Sequence, residues 1–200
     1  MQLYTVTVPA ADEPVTLAEA KAFMRVTSSA EDTLITTLIS SATETLEQYT
    51  NRYFVVRTVQ GDFSTVLVSK TEVYPYVVVG RAELQTVTSV EVSVNGSFEA
   101  ESFQIKKPTH GFSRILFDDL TDQLDDIPYP LQIIFTAGYG DASNVPDNIK
   151  VAIMEYVSFL YRNRGDCIDK DACSVLQEND GIPPIVRNIM ARYRIIEVYA

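Results

Sequence analysis

His110, Cys167, Cys173, the acids between Asp118 and Asp126, and the pair Gly138 and Gly140 are the residues whose types could do chemistry. A structural zinc site needs about four nitrogen or sulfur ligands around one ion. Here two cysteines separated by five residues have no second pair, and the one histidine lies far away in the chain. The expectation is two ordinary reduced thiols and no metal. His110 sits in Pro108-Thr109-His110-Gly111, which reads as a turn, with a structural or solvent-facing imidazole.

The stretch Asp118-Asp119-Leu120-Thr121-Asp122-Gln123-Leu124-Asp125-Asp126 has five acids in nine residues. A divalent-metal or catalytic carboxylate cluster is the sharp reading. The calcium-loop pattern wants acids at alternate positions, a central glycine and a closing glutamate, and the run lacks that order. Leu120 and Leu124 point instead to a helical turn with a solvated acidic face. Gly138-Tyr139-Gly140 is G-x-G without its third glycine, and the next helix starts too late for a dinucleotide fingerprint. The sequence has no phosphate loop, no G-x-S-x-G and no nucleophile beside a base. No catalytic residue, cofactor or metal is expected, so the chain reads as a non-enzyme.

Local patterning supplies a clear set of elements. Thr16 and Glu19 form a T-x-x-E capping box ahead of a helix over about 16–25. Ser28-Ser29-Ala30-Glu31-Asp32 reads as a second helix start, and Leu34, Ile35, Leu38, Ile39, Ala42, Leu46 and Tyr49 make the stripe of a helix over 30–51. Pro146 opens a helix over 146–163, with Ile149, Ala152, Ile153, Tyr156, Val157 and Leu160 on one face and a stop near Gly165. Pro183-Pro184 opens the last, over 184–196.

From 53 to 136 the period changes to that of strands. Residues 3–8 read as a short strand or arm, 53–60 and 62–68 as two strands separated near Gly61, and 74–79 and 86–94 as two more. Asn95-Gly96 is a type I′ hairpin turn. A return strand over about 98–106, then 112–117 and 131–136, completes one mostly antiparallel sheet of about six strands. The fold class is therefore α+β. It is a small helical body (13–52 plus 137–200) with a β-rich insert at 53–136, in a single chain unit.

Composition narrows the partners. The 200 residues are 46% hydrophobic, enough for a core, and carry a net charge of −11. That charge counts against binding nucleic acid through phosphate neutralisation. The amino terminus shows no signal-peptide pattern, and no apolar run reaches the roughly 18 residues needed to cross a bilayer. A soluble protein made in the cytosol, with no membrane partner, is expected. The acidic chain ends in a basic amphipathic segment holding Arg187, Arg192, Tyr193 and Arg194. A packed last helix and a docking element for an acidic partner are both compatible with it.

In order along the chain stand Glu13-Pro14-Val15-Thr16-Leu17-Ala18-Glu19-Ala20-Lys21 and Glu31-Asp32-Thr33-Leu34-Ile35, leading to Leu46-Glu47-Gln48-Tyr49-Thr50-Asn51-Arg52. They are followed by Leu84-Gln85-Thr86-Val87-Thr88-Ser89-Val90 and Thr136-Ala137-Gly138-Tyr139-Gly140, then Val145-Pro146. This ordered set, covering about 13–166, resembles the tailed-bacteriophage head–tail connector (adaptor) family, in its longer type with a β insert. The resemblance implies a structural virion protein of the neck, assembled in the bacterial host cytoplasm. It implies a homo-oligomeric ring, commonly a dodecamer, beneath the portal protein, which receives a stopper or tail protein and lets genomic DNA pass. Arg187, Arg192, Arg194 and Tyr193 are the expected portal-docking residues. Another neck component, a stopper or tail-completion protein, and a monomeric binding module are the alternatives.

Overall fold

Thr16 makes the capping box that its spacing implies. Its hydroxyl accepts from the Glu19 amide (3.2 Å), and the Glu19 carboxylate accepts from the Thr16 amide (2.7 Å). In this computed structural model, which describes residues 2–67, 74–80, 84–107, 113–117, 124–163 and 181–195, helix α1 spans Leu17–Met24. It stops where Arg25 turns left-handed (φ 59°). Helix α2 spans Asp32–Thr50 and ends on left-handed Asn51 (φ 56°), whose short polar side chain tolerates that region. Its start differs from expectation. Glu31 holds the cap position but its side chain does not cap the helix, and the Ser28 hydroxyl takes the Ala30 amide in a local turn instead. The α2 amino terminus is tied to α1 through Asp32 and Lys21.

Helix α3 spans Asp147–Arg162, with Pro146 just outside it and its carbonyl accepting from the Ile149 and Lys150 amides. Helix α4, Pro184–Met190, is shorter than the periodicity predicts. Tyr193 donates back to Met190, and Ile195 donates to the Thr50 carbonyl of α2, so the chain turns away from the helix axis. The core of this helical unit joins Ile35, Ile39, Ala42 and Leu46 of α2 to Ile149, Ala152, Ile153 and Val157 of α3, with Val186 and Met190 of α4. Leu34 of the expected α2 stripe is instead exposed.

The described residues fall into two compact units. One holds residues 2–11 and 56–140, and the other holds residues 12–55 and 141–195. The first is built of strands, all antiparallel: β1 (Gln2–Val8), β2 (Arg57–Phe63), β3 (Tyr76–Val79), β4 (Leu84–Val94), β5 (Ser97–Ala100), β6 (Gln104–Lys106), β7 (Ser113–Leu116) and β8 (Leu131–Ala137). They form two sheets rather than one, a five-stranded sheet ordered β1-β2-β8-β4-β5 and a three-stranded sheet ordered β3-β7-β6. The expected return strand over 98–106 is cut in two. Glu101 makes the last ladder bond to Val90, and its carboxylate then takes the Ser102 amide and hydroxyl, turning the chain out of the first sheet.

Gly61 does not separate a pair of strands. It lies inside β2, in register with Tyr4, because the Phe63 ring folds over it. A Cβ there would stand 2.8 Å from that ring. Tyr4 meets the Phe63 and Phe135 rings edge-on, at 6.0 and 6.2 Å. Among the described residues beyond Phe63, the expected strand survives as a bridge from Leu67 to Tyr76. The inner face of the larger sheet is apolar, with Val59, Phe63, Val90, Val92, Leu131, Ile133 and Phe135 buried. Its hairpin turn has the expected positive φ at Asn95 (53°) and Gly96 (84°).

Candidate functional site

The two glycines of Gly138-Tyr139-Gly140 are turn geometry. Both take positive φ (130° and 122°), a region that glycine enters without steric cost. Their carbonyls accept from Gln85 Nε2 and the Val56 amide. His110, Cys167, Cys173, Gly165 and Asp118 to Gln123 lie outside the described residues. Among the described residues, no group of three or more His, Cys, Asp or Glu side chains is placed to hold a metal ion. No described helix is long and apolar enough to cross a membrane.

Asp125, at the end of the acidic run, has a fixed task in the sheet unit. Its carboxylate accepts from the Ser93 hydroxyl (2.6 Å), the Gly96 amide (2.9 Å) and the Asn95 amide (3.0 Å), and its own amide donates to the Ser93 carbonyl. The Ser93 hydroxyl and then the Gly96 amide hold this carboxyl below its usual range. One acid of the run is thus a clamp on the hairpin turn. Sequence reading missed it because Asp125 and the turn are about thirty positions apart.

The basic carboxyl-terminal segment gathers where α2 ends. Tyr49 lies in the last turn of α2, the negative end of the helix dipole, and that turn has no basic residue of its own. The Arg194 guanidinium lies 5.1 Å from the centre of the Tyr49 ring, and that of Arg187 lies 6.0 Å from it. Both distances are within the range for cation–π attraction. Arg52, just past the helix, donates from Nε to the Tyr193 carbonyl (2.7 Å). Two of the sequence-chosen arginines therefore share one aromatic ring, and Tyr193 contributes its backbone. Arg192 and Arg194 are exposed, and so is Ile185 of α4, at 57%. The signal that sequence reading lacked was Tyr49, assigned only to a packing stripe.

This arrangement offers guanidinium groups held against an aromatic ring. It suits recognition of a carboxylate-bearing protein surface, where arginine and aromatic residues are enriched. No described nucleophile or acid–base pair accompanies it.

Comparison with known proteins agrees with the connector resemblance. The structure is similar to a chain from the neck of an empty gene transfer agent (GTA) particle computed with C6 symmetry, with a TM-score of 0.70 and 20% identity over 99% of this chain and 98% of that one. A chain from the virion of a native gene transfer agent particle matches with a TM-score of 0.70 and 18% identity, over 99% and 98% of the two chains. A chain from the neck of a native GTA particle computed with C12 symmetry matches with a TM-score of 0.65 and 20% identity, over 100% and 98%. At these identities the likeness establishes a shared fold. No curated protein matches the sequence. The family described as head completion protein matches residues 13–196, both helical segments and the strands between them, and the chain belongs to that family, one of structural proteins rather than enzymes.

Proposed function

We propose that this head completion protein is a neck adaptor. Copies form a ring beneath the portal protein of a DNA-filled capsid, receive a stopper or tail protein, and leave a central passage for the genome. The observation that carries the reading is the family match over residues 13–196. The likeness to chains from particle necks computed with C6 and C12 symmetry supports a cyclic arrangement, with a dodecamer as the expected form. Such a ring joins one patch of each copy to a different patch of its neighbour. Repeating a protein of net charge −11 around the passage builds a strongly negative collar, which discourages phosphate from adhering to the wall.

On this reading Arg187, Arg192, Tyr193 and Arg194 form the portal-facing patch, with Arg192 and Arg194 exposed for contact. Electron microscopy of the protein mixed with capsids that carry portals but no tails tests the proposal. A ring at the portal vertex is the expected result; binding elsewhere, or none, would overturn it. For the docking patch, a protein truncated after Gly181 should lose affinity for portal rings. Unchanged affinity would remove the patch from the portal contact.

A further inference from the structure

Asn95-Gly96 is the one Asn-Gly step in the sequence. In an unconstrained peptide, the glycine nitrogen of such a step attacks the carboxamide carbon of the asparagine. A ring C–N bond forms, the carboxamide C–NH2 bond breaks, and the displaced nitrogen leaves as ammonia with the proton lost from the glycine amide. Water then opens the succinimide to aspartate or isoaspartate, with no change of oxidation state. The attack requires a Gly96 nitrogen that can give up its proton and swing toward the Asn95 carboxamide.

In this structure both turn amides are occupied. Gly96 N–H donates to Asp125 Oδ2 at 2.9 Å and Asn95 N–H to Oδ1 at 3.0 Å. The carboxylate is itself fixed by the Ser93 hydroxyl at 2.6 Å and by the bond from its own amide to the Ser93 carbonyl. The tip is otherwise open. Nothing lies within 4 Å of where a Gly96 Cβ would stand, so the water needed for ring opening has free access. We propose that Asn95 is a latent deamidation site and that Asp125 is the guard that keeps it an amide. Reaction then depends on the fraction of time the clamp is open. The change is one-way: isoaspartate adds a methylene to the turn backbone and sets a second carboxylate against Asp125.

The test ages the intact protein at mildly alkaline pH and measures isoaspartate at position 95 by peptide mass spectrometry. Asp125→Ala, Ser93→Ala and a free peptide spanning the turn are run in parallel. The wild-type protein should react far more slowly than the peptide. Asp125→Ala should react about tenfold faster than wild type or more, as expected on losing bonds to a charged acceptor, with Ser93→Ala between them. Equal rates in Asp125→Ala and wild type would overturn the proposal. A slower Asp125→Ala would do so too, making Asp125 the proton acceptor rather than the guard. Should Asp125→Ala fail to fold, hydrogen exchange at the wild-type Gly96 amide decides. Protection is expected, and exchange at the free-peptide rate would sink the idea.

Discussion

Single residues here act mainly by closing local geometry. The Asp125 carboxyl lies below its ordinary range because the Ser93 hydroxyl and the two turn amides donate to its charged form. A carboxyl depressed on folding stabilises the fold fully above its unfolded value, about 3.9, and loses that contribution as pH falls through the folded value. Nuclear magnetic resonance titration should therefore find Asp125 protonating below a free aspartate, and Ser93→Ala should move it upward. Gly61 illustrates a different constraint. Val at this position would drive Cβ into the Phe63 ring, with the Phe135 ring 3.3 Å away on another side. Gly61→Val should cost about 1–3 kcal/mol in chemical denaturation, the usual range for overpacking a filled core. Nothing in the local sequence distinguishes this glycine from a turn glycine. The distinction lies in an aromatic neighbour two positions on and a partner strand more than fifty residues away.

At the scale of elements, the helices were legible and the sheets only partly so. The α1 box and the α3 stripe depend on contacts three or four residues apart, which the sequence displays directly. Dividing the strands between two sheets depends on which strands meet, and β8 reaches both β2 and β4 across long separations. The early end of α4 has the same kind of origin, since the Ile195 amide is taken by Thr50 of α2. The capping box can be tested by itself. Thr16→Ala removes the hydroxyl that takes the Glu19 amide and should cost about 1 kcal/mol at neutral pH. The Thr16 hydroxyl and amide hold the Glu19 carboxyl low, so this contribution to stability is complete above about 4.3 and fades as pH falls through the folded value. The gap between thermal melts of Thr16→Ala and wild type should accordingly narrow in acid without closing, because the bond from the Glu19 amide to the Thr16 hydroxyl does not depend on ionisation. In the core, Ile153→Ala empties a fully buried position on α3 and should cost about 2–5 kcal/mol by denaturant unfolding.

For the whole molecule, charge is the property most open to experiment. The protein is acidic overall, yet its described carboxyl-terminal segment 181–195 carries three arginines and no acid. If that segment docks the portal, Arg192→Glu with Arg194→Glu should weaken binding to portal rings at least about tenfold, and the wild-type affinity should fall as salt rises. Light scattering should still find the variant folded and in the same assembly state as wild type. How much of the site was legible follows from the same facts. The arginines stood out against an acidic background, whereas Tyr49, which two of them share, lies more than 130 positions earlier and looked like an ordinary packing residue.

The position of β8 has a consequence for the order of events during synthesis. It is the central strand of the larger sheet, yet it is the last of that sheet's strands to leave the ribosome. Until residue 137 has emerged, β2 and β4 lack the strand that joins them, and a nascent sheet consists of separate ribbons too small to be stable alone. Pairings this distant in sequence also close slowly. The protein should therefore acquire its sheet late and nearly at once, so that unfinished polypeptides have no completed sheet edge to offer one another.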